Sequence, residues 1–383
     1  MDSTEKRSIY LDHAASTPVD PGVVEAMLPY FTETYGNASG LHSQARASAR
    51  ALDAARRDVA EVLGCSPKEV IFTSGGSESD NMAIRGVAWA QKQAGKGAHI
   101  ITSPIEHSAV QKTIDQLCAR FGFEQTRVPV DETGRVDPAA VAGAIRPDTV
   151  LISVMGANNE VGTIQPLAEI GQIARERGIP FHSDTVQAVN AIELQVDALN
   201  LDLLSLSAHK FYGPKGVGVL YLRQGTPFLP PGTGGGHEGN RRPGTENIPY
   251  IVGLARALRL VERLRPGETL RQAALRDRLV AGVLQAVPGA QLTGHPTQRL
   301  PNNASFVFPG CDASALLMHL DMQGIAAASG SACDTGMPEP SAVLLAMGVP
   351  SDLALGALRL TLGRSTTGDD IDYVLDVLPK IVS

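Results

Sequence analysis

The sequence predicts an α/β fold with a large, mostly parallel sheet covered by helices on both faces and a second, smaller α/β domain. Between residues 69 and 223, short Val, Ile and Leu runs alternate with helical patterns. The strands predicted in this region are Ile100–Thr102, Val150–Val154, Pro180–His182 and Leu203–Leu206. Alternation of this kind is typical of parallel strands joined by crossover helices. Ligands bind such sheets at the carboxyl ends of the strands, so polar residues there are the first site candidates.

The segments between and after these strands carry their own signals. Leu167, Ile170 and Ala174 fall on one stripe, as an amphipathic helix requires. The glycine-rich stretch 232–244 also carries histidine, glutamate and arginine residues, so we expect an ordered loop there and not a flexible linker. The smaller domain is predicted from helical periodicity at 251–264 and 269–287 and from strands at 304–308 and 358–362. Thr367 and Asp370 form a plausible N-cap pair for a last helix.

Length and composition limit the possible functions. A chain of 383 residues exceeds one typical core, so we predict a large domain over 18–260 and a small domain formed by 1–17 and 261–383. The net charge of −7 disfavours direct nucleic-acid binding. The basic run at Arg56–Arg57 is short and is expected on a solvated helix face. No signal or membrane segment is apparent, which predicts a cytoplasmic protein. The four cysteines lack the sequence spacing that is typical of metal ligands, and they are too few for a disulfide framework in a chain of this length. The sequence therefore predicts neither a metal site nor disulfides.

One lysine follows a predicted strand in surroundings that suit a cofactor. Lys210 comes after the strand at 203–206, next to the hydroxyl of Ser207 and the imidazole of His209. A lysine that binds the aldehyde of pyridoxal 5'-phosphate (PLP) needs a partly neutral amine and nearby donors for the phosphate. A surface lysine is the alternative, and it is the commoner explanation of any single turn of this kind.

An aspartate ends the preceding predicted strand. Asp184 follows the run at 180–182, and the amide of Gln187 comes three residues later. A carboxylate against the pyridine nitrogen keeps the PLP ring protonated, which makes the ring an electron sink. The alternative for Asp184 is a helix N-cap. Lys210 favours the PLP interpretation over that alternative.

Two glycines complete a possible cofactor site. Residues 69–73 predict a strand and 79–84 predict a helix, joined by Ser-Gly-Gly-Ser-Glu. Gly75 and Gly76 would let the backbone approach an anion, and a helix N-terminus presents free N–H groups to it. Gly-Gly is only a tight turn in most chains, but three parts of one site in a plausible order favour a phosphate site.

With these segments, the chain resembles the PLP-dependent cysteine desulfurases of the NifS/IscS type, within the class V aminotransferase superfamily. The matching segments run nearly end to end: Tyr10–Pro18, Gly36–Asn37, Phe72–Asn81, Glu106–His107, Asn158–Gly162, the aspartate and lysine segments, Gly234–Glu238, Arg242–Thr245, Ser329–Cys333 and Leu358–Arg364. The resemblance implies the type I PLP-dependent transferase fold and a homodimer.

The resemblance also assigns roles to individual residues. It implies that Lys210 carries the cofactor and moves a proton at the substrate α-carbon, and that His107 stacks on the ring. The other implied cofactor contacts are Asp184, Gln187, Gly76, Ser77, Asn159, Ser207, His209 and, toward the neighbouring subunit's phosphate, Thr245. Arg359 and, with weaker support, Asn37 are implied for the substrate carboxylate. The alternatives are a strand-edge salt bridge for Arg359 and a helix-start histidine for His107.

Cys333 is the candidate nucleophile. Small residues, glycines and prolines surround it at 328–340, which gives a thiol access to substrate. Most free cysteines behave as small hydrophobic residues, which suits Cys118 and Cys65, while Cys311 stays undecided. In the family, the corresponding cysteine attacks the sulfur of PLP-bound L-cysteine, which leaves a protein persulfide and releases alanine.

Two positions depart from the family pattern. Ser77 stands where the family often has threonine, and it keeps the hydroxyl. Asp334 stands where related chains often have threonine, and its carboxylate should disfavour the Cys333 thiolate.

The predicted function is therefore that of a cysteine desulfurase. L-cysteine is its substrate, and a sulfur-acceptor protein is its partner, either an iron-sulfur cluster scaffold or a thiolation protein. No direct nucleic-acid or membrane partner is expected. Three alternatives stay open. The chain could be a selenocysteine lyase or another class V PLP enzyme, neither of which would use Cys333 as a sulfur carrier. It could also be a non-catalytic assembly partner.

Overall fold

A twisted sheet of seven strands lies at the centre of the computed structural model, which describes residues 8–329 and 339–382. The strands are β1 (Ile9–Tyr10), β2 (Val70–Thr73), β3 (His99–Thr102), β4 (Glu124–Arg127), β5 (Thr149–Ser153), β6 (Phe181–Asp184), β7 (Leu203–Ser207), β8 (Gly218–Leu222), β9 (Gln291–Leu292), β10 (Asn303–Val307), β11 (Ile325–Ala326) and β12 (Ala357–Thr361). The helices are α1 (Pro21–Met27), α2 (Pro29–Thr32), α3 (Ser43–Leu63), α4 (Gly76–Gln93), α5 (Ser108–Phe121), α6 (Pro138–Ala144), α7 (Leu167–Glu176), α8 (Ile248–Ala286), α9 (Ala313–Met322), α10 (Ala342–Ala346), α11 (Ser351–Ala354) and α12 (Gly368–Val382).

The strand order of the central sheet is β2-β8-β7-β6-β5-β3-β4. Neighbouring strands from β7 to β4 pair in parallel, and β8 runs antiparallel to both of its neighbours. Because β8 is antiparallel to both β2 and β7, β2 and β7 run in the same direction. The carboxyl ends of β2, β3, β5, β6 and β7 therefore lie along one edge. This confirms the predicted, mostly parallel sheet.

Helices cover both faces of this sheet, as the sequence predicts. Leu204 packs into one apolar core with residues of α3, α7 and α8, whereas Leu203 packs into another with residues of α4 and α5. Successive side chains of a strand point to opposite faces, so a strand covered on both sides must be apolar at every position. This explains the continuous apolar runs in the sequence.

A second sheet and its own core lie at the other end of the chain. β10 pairs with β12 and β9, and their apolar residues pack with α9, α12 and the end of α8. Thr367 and Asp370 cap α12 reciprocally, as predicted. Ile9 and Leu11 belong to this second core, and β1 pairs in parallel with β11. The division of the chain into 18–260 and 1–17 with 261–383 stays a prediction.

Two predicted helix boundaries are wrong. The sequence predicts helices at 251–264 and 269–287, but α8 runs through Pro266 without interruption. An internal proline costs about 3 kcal/mol, and burial of apolar residues in a different core at each end of α8 exceeds that cost. Helix α4 begins at Gly76, three residues before the predicted start, because glycine tolerates the tight entry into the first turn.

The glycine-rich loop is held in place by ion pairs, one of which includes a buried carboxylate. Glu238 accepts two hydrogen bonds from Arg56, at 2.7 and 2.8 Å, and one from the backbone N–H of Phe72 at 3.0 Å. Arg242 pairs with Glu78 at 2.9 Å. The expectation of an ordered loop is confirmed. The expectation that Arg56 lies on a solvated face is wrong, because the helix turns it toward the loop.

Among the described helices, none combines the length and the apolar character that a membrane crossing requires.

We predict that Glu238→Ala destabilises the fold by about 3–5 kcal/mol, because it leaves the Arg56 charge without its buried partner. Chemical denaturation monitored by circular dichroism measures this loss. Asp115→Ala is the matched control, since it removes an exposed partner of Arg127 and should cost less than about 1 kcal/mol. Equal losses in the two variants would contradict this account of the loop.

Candidate active site

The carboxyl edge of the central sheet borders a cavity of about 350 Å³. The predicted site residues that line it are Gly76, Ser77, His107, Asn159, Asp184, Gln187, Ser207, His209, Lys210 and Arg359. They come from both cores and from loops far apart in sequence. The parallel sheet brings them together because each lies at or just after a strand end, at a helix start, or on the facing strand β12.

Lys210 lies in the short turn that follows β7. Its Nζ donates to the carbonyl oxygens of Ala14 and Ala15, at 2.7 and 2.8 Å. Burial, together with the nearby guanidinium of Arg359, lowers the pKa of Lys210 to about 8. A lysine in such a place has an appreciable neutral fraction near neutral pH, which is what a nucleophilic amine requires. The surface-lysine alternative is wrong.

Asp184 is the last residue of β6 and is buried. Its Oδ1 accepts a hydrogen bond from the backbone N–H of Val186 at 2.9 Å. Burial raises the pKa of Asp184, whereas His107 and Lys210 act in the opposite direction. The short turn at 188–190 has no side-chain cap, so the N-cap alternative for Asp184 is wrong.

The turn between β2 and α4 forms a glycine cradle. Gly75 adopts φ +154° and ψ −178°, a conformation that only glycine adopts readily. A Cβ on Gly76 would lie 2.9 Å from Cγ2 of Val186, so a side chain there would disturb the cavity wall. The first N–H groups of α4 start at this cradle. Ser77 in the first turn and Ser207 at the end of β7 flank it.

His107 lies where α5 begins. It precedes α5, and its Nδ1 accepts a hydrogen bond from the backbone N–H of Ala109 at 3.1 Å, so it is a helix cap. It also lines the cavity. Because Nδ1 accepts, a neutral ring carries its proton on Nε2, the assignment that the hydrogen-bond network requires.

Arg359 forms a salt bridge, as one of its two alternatives predicted. Its Nη2 pairs with Asp12 at 2.7 Å and its Nη1 donates to the backbone oxygen of Asn159 at 3.0 Å. Its Nε is buried without a partner among the described residues. The side chain is therefore fixed by a salt bridge and still lines the cavity.

Two further predicted residues contact the segment at residues 14–16, which forms part of the cavity wall. Gln187 donates from Nε2 to the oxygen of Ala14 at 2.9 Å. His209 Nδ1 lies 3.3 Å from the hydroxyl of Ser16. Burial, reinforced by Lys210, lowers the pKa of His209 to about 4, so a neutral ring faces the cavity.

Two predicted residues lie away from this cavity. Asn37 is exposed, and its Oδ1 accepts from the backbone N–H of Ser39. Thr245 lines a separate cavity of about 260 Å³ beside Ser74 and Arg242.

Of the four cysteines, Cys333 lies outside the described residues, as does Asp334. Burial raises the pKa of Cys65 to about 12 and also raises the pKa of Cys118 and of Cys311. Each of these three packs against an apolar core, which resolves Cys311 in favour of a packing role. A raised pKa suppresses the nucleophilic thiolate.

The sequence analysis did not single out Asp80, which is buried and lines the cavity. A signal was present, because Asp80 shares a helical stripe with the buried residues Ala83, Ile84 and Val87. A carboxylate on the buried stripe of a helix is costly unless it is neutral or paired. Only the packing of α4 on β6 shows that this stripe faces the candidate site.

The family comparison agrees with this geometry. Residues 9–374 match the family described as aminotransferase class-V. This chain belongs to the class-V aminotransferase family. A relative from Methanosarcina thermophila named cysteine desulfurase IscS is 50% identical over 99% of this chain and 93% of its own length.

Solved structures are similar as well. A structure titled NifS-like protein superposes with a TM-score of 0.91 at 37% identity, covering 98% of this chain and 99% of the other. One titled SspA in complex with cysteine has a TM-score of 0.81 at 34% identity, covering 93% and 99%. The predicted family and the type I PLP-dependent fold class are confirmed. The roles of the individual site residues stay predictions.

We predict that Lys210 of the cofactor-free chain reacts with an amine-selective label with a midpoint near pH 8. Arg359→Gln should move the midpoint up, because it removes a positive charge that disfavours the protonated amine. Asp184→Asn should move it down, because it removes a carboxylate that favours protonation. Peptide mass spectrometry measures the labelling, with exposed Lys112 as internal reference. Shifts of the opposite sign would contradict the proposed electrostatics.

Proposed function

We propose that this chain is a PLP-dependent cysteine desulfurase that removes sulfur from L-cysteine, releases L-alanine and leaves a persulfide on Cys333. The observation that carries the proposal is one cavity that joins the partly neutral amine of Lys210, the buried carboxyl of Asp184 and a glycine cradle at the start of α4. The names of relatives and of a neighbour in complex with cysteine support the same substrate.

The residues present fit PLP. A phosphate suits the cradle at Gly75 and Gly76, where a Cβ would intrude and where N–H groups begin α4. The hydroxyls of Ser77 and Ser207 and the ring of His209 would donate to the same group. Asp184 would hold a proton on the pyridine nitrogen, and Lys210 would bind the aldehyde carbon. Gln187 and Asn159 would contact the ring from the side, and His107 would stack on it.

The bound cofactor supplies an electron sink for the substrate α-carbon. The chain supplies proton transfer and orientation. Lys210, once released, accepts the α-proton at Nζ, a role suited to an amine with a pKa of about 8. Arg359 holds the substrate carboxylate with the fork of its guanidinium, which Asp12 already fixes in direction.

The sulfur step needs a second nucleophile, and we assign it to Cys333. Its thiolate attacks the substrate sulfur, an S–S bond forms, and the C–S bond breaks. The electron pair of that bond passes to the substrate carbon, which takes a proton and leaves as part of L-alanine. Ala328, which precedes Cys333 in the sequence, forms a β-bridge with Arg359 of the proposed carboxylate site. An acceptor protein, an iron-sulfur scaffold or a thiolation protein, then takes the sulfur. The cytoplasmic location stays a prediction.

We predict that Cys333→Ala, loaded with PLP, loses alanine and sulfide production from L-cysteine by at least about a hundredfold, as removal of a nucleophile does. Alanine and sulfide are measured in the presence of a reductant, with the cofactor spectrum as a check on loading. Cys311→Ala is the matched control and should keep production, because its thiol packs against a core. Equal production by wild type and Cys333→Ala would exclude Cys333 as carrier and favour a lyase.

We also propose a homodimer in which Thr245 reaches the phosphate of the neighbouring subunit. Two observations support this. Thr245 is exposed and lies outside the Lys210 cavity of its own chain. A run of large apolar side chains is exposed on α1, α2 and the following loop, including Leu28 at 58% and Phe31 at 50%. Exposed apolar surface of this kind marks an interaction site.

We predict that Leu28→Glu with Phe31→Glu converts the protein to a monomer in sedimentation experiments, because two buried charges oppose the interface. Leu270→Glu, at an exposed apolar residue of α8, is the control and should stay dimeric. Thr245→Ala should keep the dimer and weaken PLP binding by about fivefold to tenfold through loss of one hydrogen bond. A wild-type monomer that binds PLP fully would overturn this proposal.

A further inference from the structure

Two buried carboxyl groups lie close together in the wall of the cavity, and the proposed mechanism uses only one. Asp80, on α4, is 1% exposed and Asp184, at the end of β6, is 6% exposed. One oxygen of each carboxyl and one ring nitrogen of His107 lie within 4.8 Å of one another. Two carboxylates this close, away from water, do not both ionise near neutral pH. One member of the pair must carry a proton.

The surroundings of the two groups differ. Asp184 accepts the backbone N–H of Val186 and faces the amine of Lys210, both of which favour its ionised form. Oδ1 of Asp80 has no hydrogen-bond partner among the described residues. Burial and the charge of Asp184 raise the pKa of Asp80 well above its ordinary value, although the Ser205 hydroxyl opposes them. The proton therefore belongs on Asp80.

His182, on β6, lies beside the Asp80 carboxyl. Its Nε2 lies 3.6 Å from Oδ1 of Asp80. Burial lowers the pKa of His182 to about 3, so its ring is neutral and has one accepting nitrogen. Nδ1 lies 2.9 Å from the Ser153 hydroxyl and can donate to it, which leaves Nε2 to accept from the Ser205 hydroxyl at 3.1 Å. Ser205 is also hydrogen-bonded to the Asp80 carboxyl, and because its one proton points to Nε2, its oxygen accepts the proton of Asp80.

This contact bears on the orientation of Asp184. His182 and Asp184 are separated by two positions on β6, so their side chains lie on the same face of the sheet. Asp80 reaches that face from α4. A donor on α4 that holds Ser205, and through it His182, thus ties the end of β6, and with it the Asp184 carboxylate, to the helix that begins at the glycine cradle.

We propose that Asp80 is a positioning residue: a neutral carboxylic acid that donates to Ser205, acts through that hydroxyl on His182, and holds Asp184 toward the pyridine nitrogen without placing a second negative charge beside it. The part that concerns the pyridine nitrogen rests on the proposed function. The protonated state of Asp80 does not, because it follows from the buried pair alone.

One other acid faces this pair and must be separated from it experimentally. Glu106 accepts from the Ser103 hydroxyl at 2.6 Å and from the Met155 N–H at 3.0 Å. Burial raises the pKa of Glu106 to about 8, so it also contributes a protonated carboxyl below that pH. Glu106→Gln is therefore the matched control for Asp80→Asn.

The test is infrared spectroscopy of the purified full-length protein, with PLP where it is retained, in H₂O and D₂O at neutral pH. We expect a protonated-carboxyl stretch that shifts in D₂O, is lost in Asp80→Asn and persists in Glu106→Gln. A spectrum in which Asp80→Asn removes no such band would overturn the proposal. This measurement does not depend on cofactor binding, so it stands even if the chain fails to bind PLP and the proposed function falls.

The positioning role is read from the bound cofactor. Asp80→Ala should weaken PLP binding about tenfold, because it leaves a buried acceptor unpaired, and should shift the pH dependence of the visible PLP band. Asp80→Asn should rescue both properties, since a neutral amide can donate to Ser205. Asp80→Ala with wild-type binding and an unmoved band would exclude the role. A downward shift of that titration in Asp80→Asn would show that Asp80 carries a negative charge and would also overturn the proposal.

Discussion

The common direction of six strands is the constraint on which the candidate site depends. Parallel pairing places the carboxyl ends of β3, β5, β6 and β7 at one edge, and the reversal at β8 adds the end of β2. Asp184, Ser207 and the glycine cradle sit at or just after these ends. The hydrogen bonds of the ladder therefore fix the separation of groups that lie more than a hundred residues apart. A change of register would move their side chains to the opposite face.

The electrostatics of the site follow from its burial between two cores. A lysine and an aspartate removed from water each shift toward the neutral form, and their mutual attraction limits that shift. Arg359, supplied by β12 of the second sheet, adds a positive charge that makes the Lys210 amine easier to deprotonate. The same guanidinium is fixed by Asp12, next to the second core, and by the backbone of Asn159. Arg359 thus connects the two parts of the chain and lowers the pKa of the Lys210 amine.

Helix α8 and the N-terminal segment hold those two parts in a defined relation. The helix contributes to both cores, so the cavity wall cannot shift without disturbing apolar packing at one end. The oxygens of Ala14 and Ala15 receive Lys210, and the hydroxyl of Tyr212 accepts from the backbone N–H of Arg364, whose guanidinium lies 3.9 Å from the centre of the tyrosine ring. These contacts join the edge of the central sheet to the second core, and they hold the wall of the cavity in place.

The sequence by itself determined the strand pattern, the parallel sheet and the family, because apolar periodicity and local motifs such as the lysine turn are encoded over a few residues. It also identified most of the residues that line the cavity, because residues that follow parallel strands lie at the same edge of the sheet. It did not determine the continuity of α8, the loop contact of Arg56 or the buried position of Asp80. Those depend on which face of a helix meets which partner, and that is decided by the summed burial of residues distant in sequence, so only the tertiary structure could decide it.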